Sequence, residues 1–425
     1  MRRVPIESLY TGLFDGPHAT PKPSEEGPVF LGIGNITEDG KLDLTDVRHI
    51  AEEDYATWTR RVTPQPGDIV FTYEATLNRY AIIPKGFRGC LGRRTALIRP
   101  NVAAVNPRFL FLYFFSEDWR NTIAKNILSG ATVDRIPLTR FPSFPVTLPE
   151  RRVQDRVADI LSAYDDLIEN NTRRIKILEE MAQMIYREWF VNFRFPGHEK
   201  VRMVESELGP IPEGWEAMTI AEVVQILGGG TPSTTVPEYW ESGDVSWYSP
   251  SDLTAAGTMF VSDSSKHITR LGLEKSSARL FPTNSVMMTS RATIGVVAIN
   301  KGQACTNQGF ITCVPGDRVS AYQLYFWLLE NKPKIVSLAT GATFKEINKA
   351  TFRQLPILVA PQAIADALDK AISPMGGLIA NLIHRNSILR TTRDLLLPKL
   401  ISGEIPVEAA DDTAAELMEE IALHA

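Results

Sequence analysis

The sequence predicts an α+β protein built as an internal repeat: two mixed α/β globules separated by two long, antiparallel, coiled-coil-like helices, with pseudo-twofold potential. Three observations predict it. The octapeptide SGATVDRI at 129–136 returns as TGATFKEI at 340–347, an offset of 211 residues in a chain of 425. At the same offset Leu167, Ile168, Asn170, Arg174, Ile177 and Leu178 fall on the identical residues Leu378, Ile379, Asn381, Arg385, Ile388 and Leu389. In both copies a region rich in glycine, proline and short β-type runs precedes a stretch with helical periodicity.

The first globule is expected over residues 1–147. GDIVFTY and AIIP read as strands. The first long helix is expected over 148–193, where Pro149 suits a helix start. Within it Leu161, Tyr164, Ile168, Asn171, Ile175, Leu178, Ala182, Ile185 and Trp189 recur at spacings of three and four, a heptad seam interrupted only by Asn171. Such a helix spans roughly 60 Å. A linker follows over 194–210 and the second globule over 211–360, with SVMMTS and IGVVAIN as strands. The second long helix, 361–402, inherits the seam as Ile372, Met375, Ile379, Leu382, Asn386, Leu389, Arg393, Leu396 and Leu400. Each seam carries an asparagine, the residue type that sets register between paired helices. Pro374, Gly376 and Gly377 are expected to kink or interrupt this second helix. Residues 403–425 read as an acidic C-terminal tail.

Composition narrows the class. The hydrophobic content of 44% with 22% charged residues is that of a soluble globular chain. The N-terminus MRRVPIESLYTGLFDG lacks the apolar run of a signal peptide, and no stretch approaches about 18 uninterrupted apolar residues. A cytoplasmic protein with no membrane partner is expected. Cys90, Cys305 and Cys313 make neither a disulfide framework nor a CxxC pair, and read as buried hydrophobes. The net charge of −5 is uneven, because seven acids and no lysine or arginine lie between Ser402 and Ala425. Between Arg60 and Arg140, thirteen lysines or arginines face five acids. That run suits either a phosphate-binding surface or an ordinary solvated basic face.

The segment MAQMIYREWFVNFRFPGHEKVRMVESELGPIPEGW, followed by a globule opening GGGTPS and closing TGATFKEI, resembles the specificity subunit of type I restriction-modification enzymes. The likeness covers essentially the whole chain; GGGTPS alone carries little of it. The resemblance implies that each globule is a target recognition domain reading one half of a bipartite, asymmetric sequence in double-stranded DNA. It implies helices that set the spacing and hold two modification (methyltransferase) subunits, to which two restriction (motor and nuclease) subunits add. It implies a chain that is no enzyme and binds no cofactor or metal, with S-adenosylmethionine, ATP and Mg used by the partner subunits.

Base edges are read by arginine and amide side chains on loops, while cations and backbone N–H groups position phosphates. In the first globule this points to Tyr73, Glu74, Thr76, Asn78, Arg79, Arg93 and Arg94. In the second, Ser290, Arg291 and Thr293 match the first set, and Asn307 and Gln308 lie opposite Gly92 and Arg93. Side chains differ where the flanking sequence agrees, which fits either two globules reading different bases or plain surface variation. At the repeated tripeptide, Gly130 and Thr132, and Gly341, Thr343 and Lys345, either meet a phosphate or serve a tight turn with the threonines as helix caps.

Catalysis finds no support. NPRF at 106–109 lacks the second proline of a methyltransferase tetrad, LGIGN is a lone GxG, and neither a GxxxxGK[ST] loop nor metal-spaced histidines occur. A two-headed protein-interaction scaffold without DNA is the alternative.

Overall fold

The computed structural model describes residues 1–129, 133–341 and 345–424. The chain forms two compact units, one from 1–168 with 388–425 and one from 169–387. This division runs through both long helices, rather than isolating them as segments of their own.

In the first unit an antiparallel sheet is ordered Tyr10–Asp15, Thr95–Pro100, Ile69–Thr72, Tyr80–Ile82. Ile69, Val70, Phe71 and Thr72 are all buried, so this strand is covered on both faces. A smaller sheet is ordered Arg48–His49, Ser24–Leu31, Gly89–Leu91, its last pairing parallel, and Arg2–Pro5 pairs with Pro145–Leu148. An aromatic core lies behind them, where Trp119 Nε1 donates to Tyr80 Oη at 2.8 Å. Leu161 and Tyr164 of the first long helix and Leu396 and Leu400 of the second close that core.

The second unit repeats the plan. Its main sheet is ordered Val224–Gly228, Phe310–Pro315, Val286–Thr289, Val297–Asn300, with Phe260–Val261 added at the edge. The smaller sheet is ordered His267–Ile268, Val245–Tyr248, Ala304–Thr306, again with a parallel last pairing. Glu216–Thr219 pairs with Pro356–Val359. Registers correspond residue for residue: Ile69 faces Ile82, and Val286 faces Ile299, both shifted by the same number of positions. The linker contributes a hairpin, Met203–Ser206 with Gly209–Pro212. Ile175, Ala182 and Tyr186 of the first long helix and Ile372, Ile379 and Leu382 of the second enter this unit's core.

The first long helix covers Arg151–Tyr186 and passes into a π-helical turn, Arg187–Val191. Inside the first unit, Arg393 Nη1 donates to Asp165 Oδ1 at 2.6 Å. Inside the second, Asn171 Nδ2 donates to Asn386 Oδ1 at 2.9 Å, and Asn386 Nδ2 to Thr172 Oγ1 at 3.3 Å. Ile168, Asn171, Ile175, Ile372, Ile379, Leu382, Asn386 and Leu396 are buried, while Leu178, Ile185 and Leu389 are half-buried.

One expectation is corrected. The second long helix, Gln362–Ser402, runs without interruption through Pro374, Gly376 and Gly377. Pro374 stands on the exposed face of the helix, so the ring that lacks a donor is not set against the core. A Cβ at Gly376 would overlap the hydroxyl of Tyr322, so this glycine admits a neighbour rather than breaking the helix. The acidic C-terminal segment carries a helix, Ala410–His424. Ala410, Ala414, Leu417 and Met418 form an apolar stripe that packs on the first unit's core and leaves acids on the other side.

Among the described residues no helix is long and apolar enough to cross a membrane. The three cysteines are buried, and burial pushes each thiol up to about 12. They are inert hydrophobes at neutral pH.

Candidate nucleic-acid interface

In the first unit four chain segments converge where the strand Ile69–Thr72 ends. The turn Tyr73–Thr76 holds Ala75 at φ 69°, a left-handed conformation that costs energy for a residue with a Cβ. Backbone bonds hold it there: Ala75 N–H donates to Asp134 O at 3.0 Å, and Ile136 N–H to Tyr73 O at 2.7 Å. The segment carrying the repeated tripeptide therefore docks on this turn. Leu128 and Arg135 exchange both backbone bonds, at 2.9 and 3.1 Å, and Glu74 bridges to Arg135. From a third segment Arg94 O accepts from Tyr73 N–H at 3.2 Å, with Arg94 also at φ 69°. Gly16 supplies the fourth, its N–H bonded to Thr95 O at 2.8 Å. Any Cβ at Gly16 would overlap Gly92 O.

The second unit builds the same cluster from different side chains. Ala292 has φ 59°, and its N–H donates to Lys345 O at 3.2 Å. Ile347 N–H donates to Ser290 O at 3.0 Å, and Thr340 and Glu346 exchange backbone bonds at 3.0 and 2.8 Å. Arg291 bridges to Glu346. Ser290 N–H donates to Gly309 O at 2.8 Å, and Gly230 N–H to Thr306 O at 2.8 Å. A Cβ at Gly229 would overlap Asn307 O, so GGGTPS is glycine-rich because it packs backbone on backbone. Thr231 of that stretch donates to Gln308 Oε1 at 2.7 Å.

One difference between the clusters is electrostatic. At the equivalent bridge the first unit opposes Glu74 to Arg135, and the second opposes Arg291 to Glu346. The charges have changed sides. Arg291 uses Nε and Nη2 to grip Glu346 at 3.2 and 3.1 Å. Glu74 turns to Arg94 instead, with Oε1 3.1 Å from Nε in a contact that lacks hydrogen-bond alignment. Arg135 is exposed and has no ion-pair partner among the described residues. Arg93 is exposed too, and with Arg61, Asp15 and Glu74 it surrounds Tyr73. Burial first, then Asp15 and Glu74, push the Tyr73 phenol up.

The expected residues divide accordingly. Glu74, Thr76, Arg93 and Arg94 share the first cluster, and Arg291, Thr293, Asn307, Gln308, Gly341 and Lys345 the second. Tyr73 and Ser290 are 5% and 2% exposed, so neither presents a side chain to a macromolecule in this conformation. Each is the strand's continuation into its core-facing pleat. Arg79 points elsewhere, to Glu38 at 2.9 Å, and Asn78, at φ 59°, accepts from Tyr80 Oη at 3.4 Å. Gly130, Thr132 and Thr343 lie outside the described residues.

The basic run is smaller than its composition suggests. Arg61, Arg79, Arg88, Arg94, Arg99 and Arg108 are paired with Asp15, Glu38, Glu52, Glu74, Asp68 and Asp165. Four of those acids lie outside the run, where a local count misses them. Reading the sequence for cations and amides also missed Arg135 and Glu346. The signal was in the repeated octapeptide, as the R of VDRI against the E of FKEI.

Exposed arginine and glutamine on a strained, backbone-braced loop cluster are suited to bidentate contact with base edges. Comparison with known proteins points the same way. The family model for the type I restriction modification DNA specificity domain matches residues 30–180 and 212–382. A specificity subunit of the type I restriction enzyme MjaIX, from Methanocaldococcus jannaschii, is 33% identical over 204 residues, spanning 47% of this chain and 46% of that one. The HindI specificity subunit of Haemophilus influenzae is 26% identical over 444 residues, 89% of this chain and 94% of its own. Among solved structures, an S subunit of a type I restriction-modification system from M. genitalium superposes with a TM-score of 0.53 at 15% identity, covering 94% of this chain and 95% of that one. That last likeness is one of fold.

Proposed function

The chain belongs to the family of type I restriction-modification specificity subunits, and from that premise we propose that its two loop clusters each read one half of a bipartite sequence in duplex DNA. A specificity subunit is not itself the catalyst. The observation that carries the reading is the pair of clusters: the same strained turn and docked hairpin recur in both units, dressed with different exposed side chains. A shared backbone with exchanged side chains is what reading two different half-sites requires. The long helices pair antiparallel as a coiled-coil spacer related by pseudo-twofold symmetry. They fix the distance between half-sites and hold two modification subunits, which carry S-adenosylmethionine. Two restriction subunits, using ATP and Mg, complete the assembly.

Exchange of residues 1–147 for the equivalent segment of a relative with a different target tests this. Methylation mapping of DNA from cells carrying the chimera and the modification subunits should show one half-site changed and the other kept. A chimera in which both half-sites change together overturns the reading.

A further inference from the structure

The second unit holds a cleft of about 520 Å³ that the DNA reading does not use. Its floor is apolar, with Ile299 and Val314, and its rim carries Asn284, Lys301, Tyr322 and Asp369. Lys301 lies with Nζ 4.0 Å from the centre of the Phe260 ring and 3.4 Å from Asn284 Oδ1. Asp369 Oδ1 accepts from the Ser320 hydroxyl at 2.5 Å. The two charges line one cleft without forming an ion pair with each other, and among the described residues neither has any other oppositely charged partner within ion-pair distance. Burial lowers the Lys301 ammonium from its ordinary value and raises the Asp369 carboxyl from its own. Lys301 is exposed and Asp369 half-buried, so both charges can be reached from the cleft, and the opposite charge that each lacks is one a ligand can supply.

The duplication supplies an internal control. The turn in which Asn284 N–H donates to Asn300 O at 2.9 Å corresponds to that in which Gly67 N–H donates to Ile83 O at 2.9 Å. The same shift places Pro84 opposite Lys301, and the offset of the long helices places Ala158 opposite Asp369. The first unit thus folds to the same plan with glycine, proline and a buried alanine where the second has an amide, a cation and an acid. Asn284 even keeps the left-handed turn, φ 61°, that glycine occupies at less cost in the first unit. These polar groups are not needed for the fold.

We propose that this cleft binds a small zwitterion of amino-acid to dipeptide size, its carboxylate taken by Lys301 and Asn284 and its ammonium by Asp369. The volume lies within the range of small-molecule sites, and a single molecule with both charges satisfies both rim groups at once. The apolar floor favours a ligand with an aliphatic or aromatic side chain.

The test is calorimetric titration of the full chain with the proteinogenic amino acids and a set of apolar dipeptides, each added singly. Saturable binding tighter than about 1 mM is expected for at least one. Lys301→Met and Asp369→Asn should each weaken it about tenfold or more. The first keeps an aliphatic stem on Phe260, and the second keeps an acceptor for Ser320. Melting temperature without ligand serves as the folding control, and if one variant is unfolded the other decides. Blocking the ligand as its N-acetyl amide should abolish binding. Absence of saturable binding across the panel overturns the proposal. So does binding that survives substitution in a folded variant or blocking of both charges.

Discussion

Substituting Arg135→Gln and Glu346→Gln should change DNA binding in opposite directions. Arg135 stands exposed beside the strained turn with no ion-pair partner among the described residues, whereas Arg291, at the equivalent bridge, is spent on Glu346. A cation that neutralises one phosphate adds about 0.9 to the slope of log K against log salt. Between about 50 and about 200 mM salt that single contact accounts for a loss of about 3.5-fold in affinity. Arg135→Gln should remove one such increment. Glu346→Gln should add up to one, since it frees Arg291 and deletes a negative charge from the proposed DNA-facing surface. The pair it breaks is 44% and 39% exposed and contributes no more than about 1 kcal/mol, so the fold is expected to tolerate it. Fluorescence anisotropy on a mixed-sequence duplex, with the chain assembled with modification subunits, reads both slopes. If the two substitutions shift the slope in the same direction, or neither shifts it, the clusters do not face DNA as argued.

Two predictions concern the second unit. Asn386→Leu should destabilise its urea transition by about 1–3 kcal/mol, because Asn171 is left buried without its acceptor, while Asn171→Leu with Asn386→Leu should recover most of the loss; a double variant no better than the single would show the pair to be incidental. Glu179 is half-buried and accepts from Met259 N–H at 2.6 Å, and desolvation raises its carboxyl above the ordinary value. The folded state therefore keeps a proton that the unfolded state has released, and stability falls as pH rises from the ordinary glutamate range through the raised one. Glu179→Gln should flatten that fall in a pH series of urea titrations, and an unchanged slope would count against it.

The sequence displayed the repeat and the strands because both rest on local signals. IVFT and VMMT are apolar at consecutive positions since each strand is covered on both faces. Of the residues picked by helical spacing, Ile168, Ile175, Ile372, Ile379, Leu382 and Leu396 are buried, while Leu178, Ile185 and Leu389 are half-buried. Pro374 misled because propensity counts the cost of a missing donor and not where the residue stands, and here it stands on the exposed face. The helix within the acidic tail went unread because seven acids hide an apolar stripe of four residues. In the loop clusters, residue type identified Arg93 and Gln308 but could not show that Tyr73 and Ser290 face inward, or that Asp15, Glu38 and Asp165 neutralise arginines far away in the chain. Pairing between distant segments is a property of the fold, and no window of sequence contains it.

The exchanged charges at the bridge show how such a site can vary without losing its shape. Residues directly opposed across a β-bridge lie about 5 Å apart, and opposite charges there attract whichever strand bears which sign. Either arrangement is compatible with the same docked hairpin, although among the described residues the ion pair across the bridge closes in the second unit and not in the first. What differs is the consequence for the surface. In the second unit the pair closes on itself and leaves Gln308, Thr293 and Lys345 as its exposed groups. In the first, a third residue, Arg94, draws Glu74 away and Arg135 is released. An arginine in a neighbouring turn thus takes the acid from the bridge and leaves Arg135 without an ion-pair partner among the described residues, while the backbone bonds that Ala75 and Ile136 make in the first unit recur at Ala292 and Ile347 in the second. The side chains that the cluster exposes can change by re-pairing within it, and the strained turn needs no adjustment when they do.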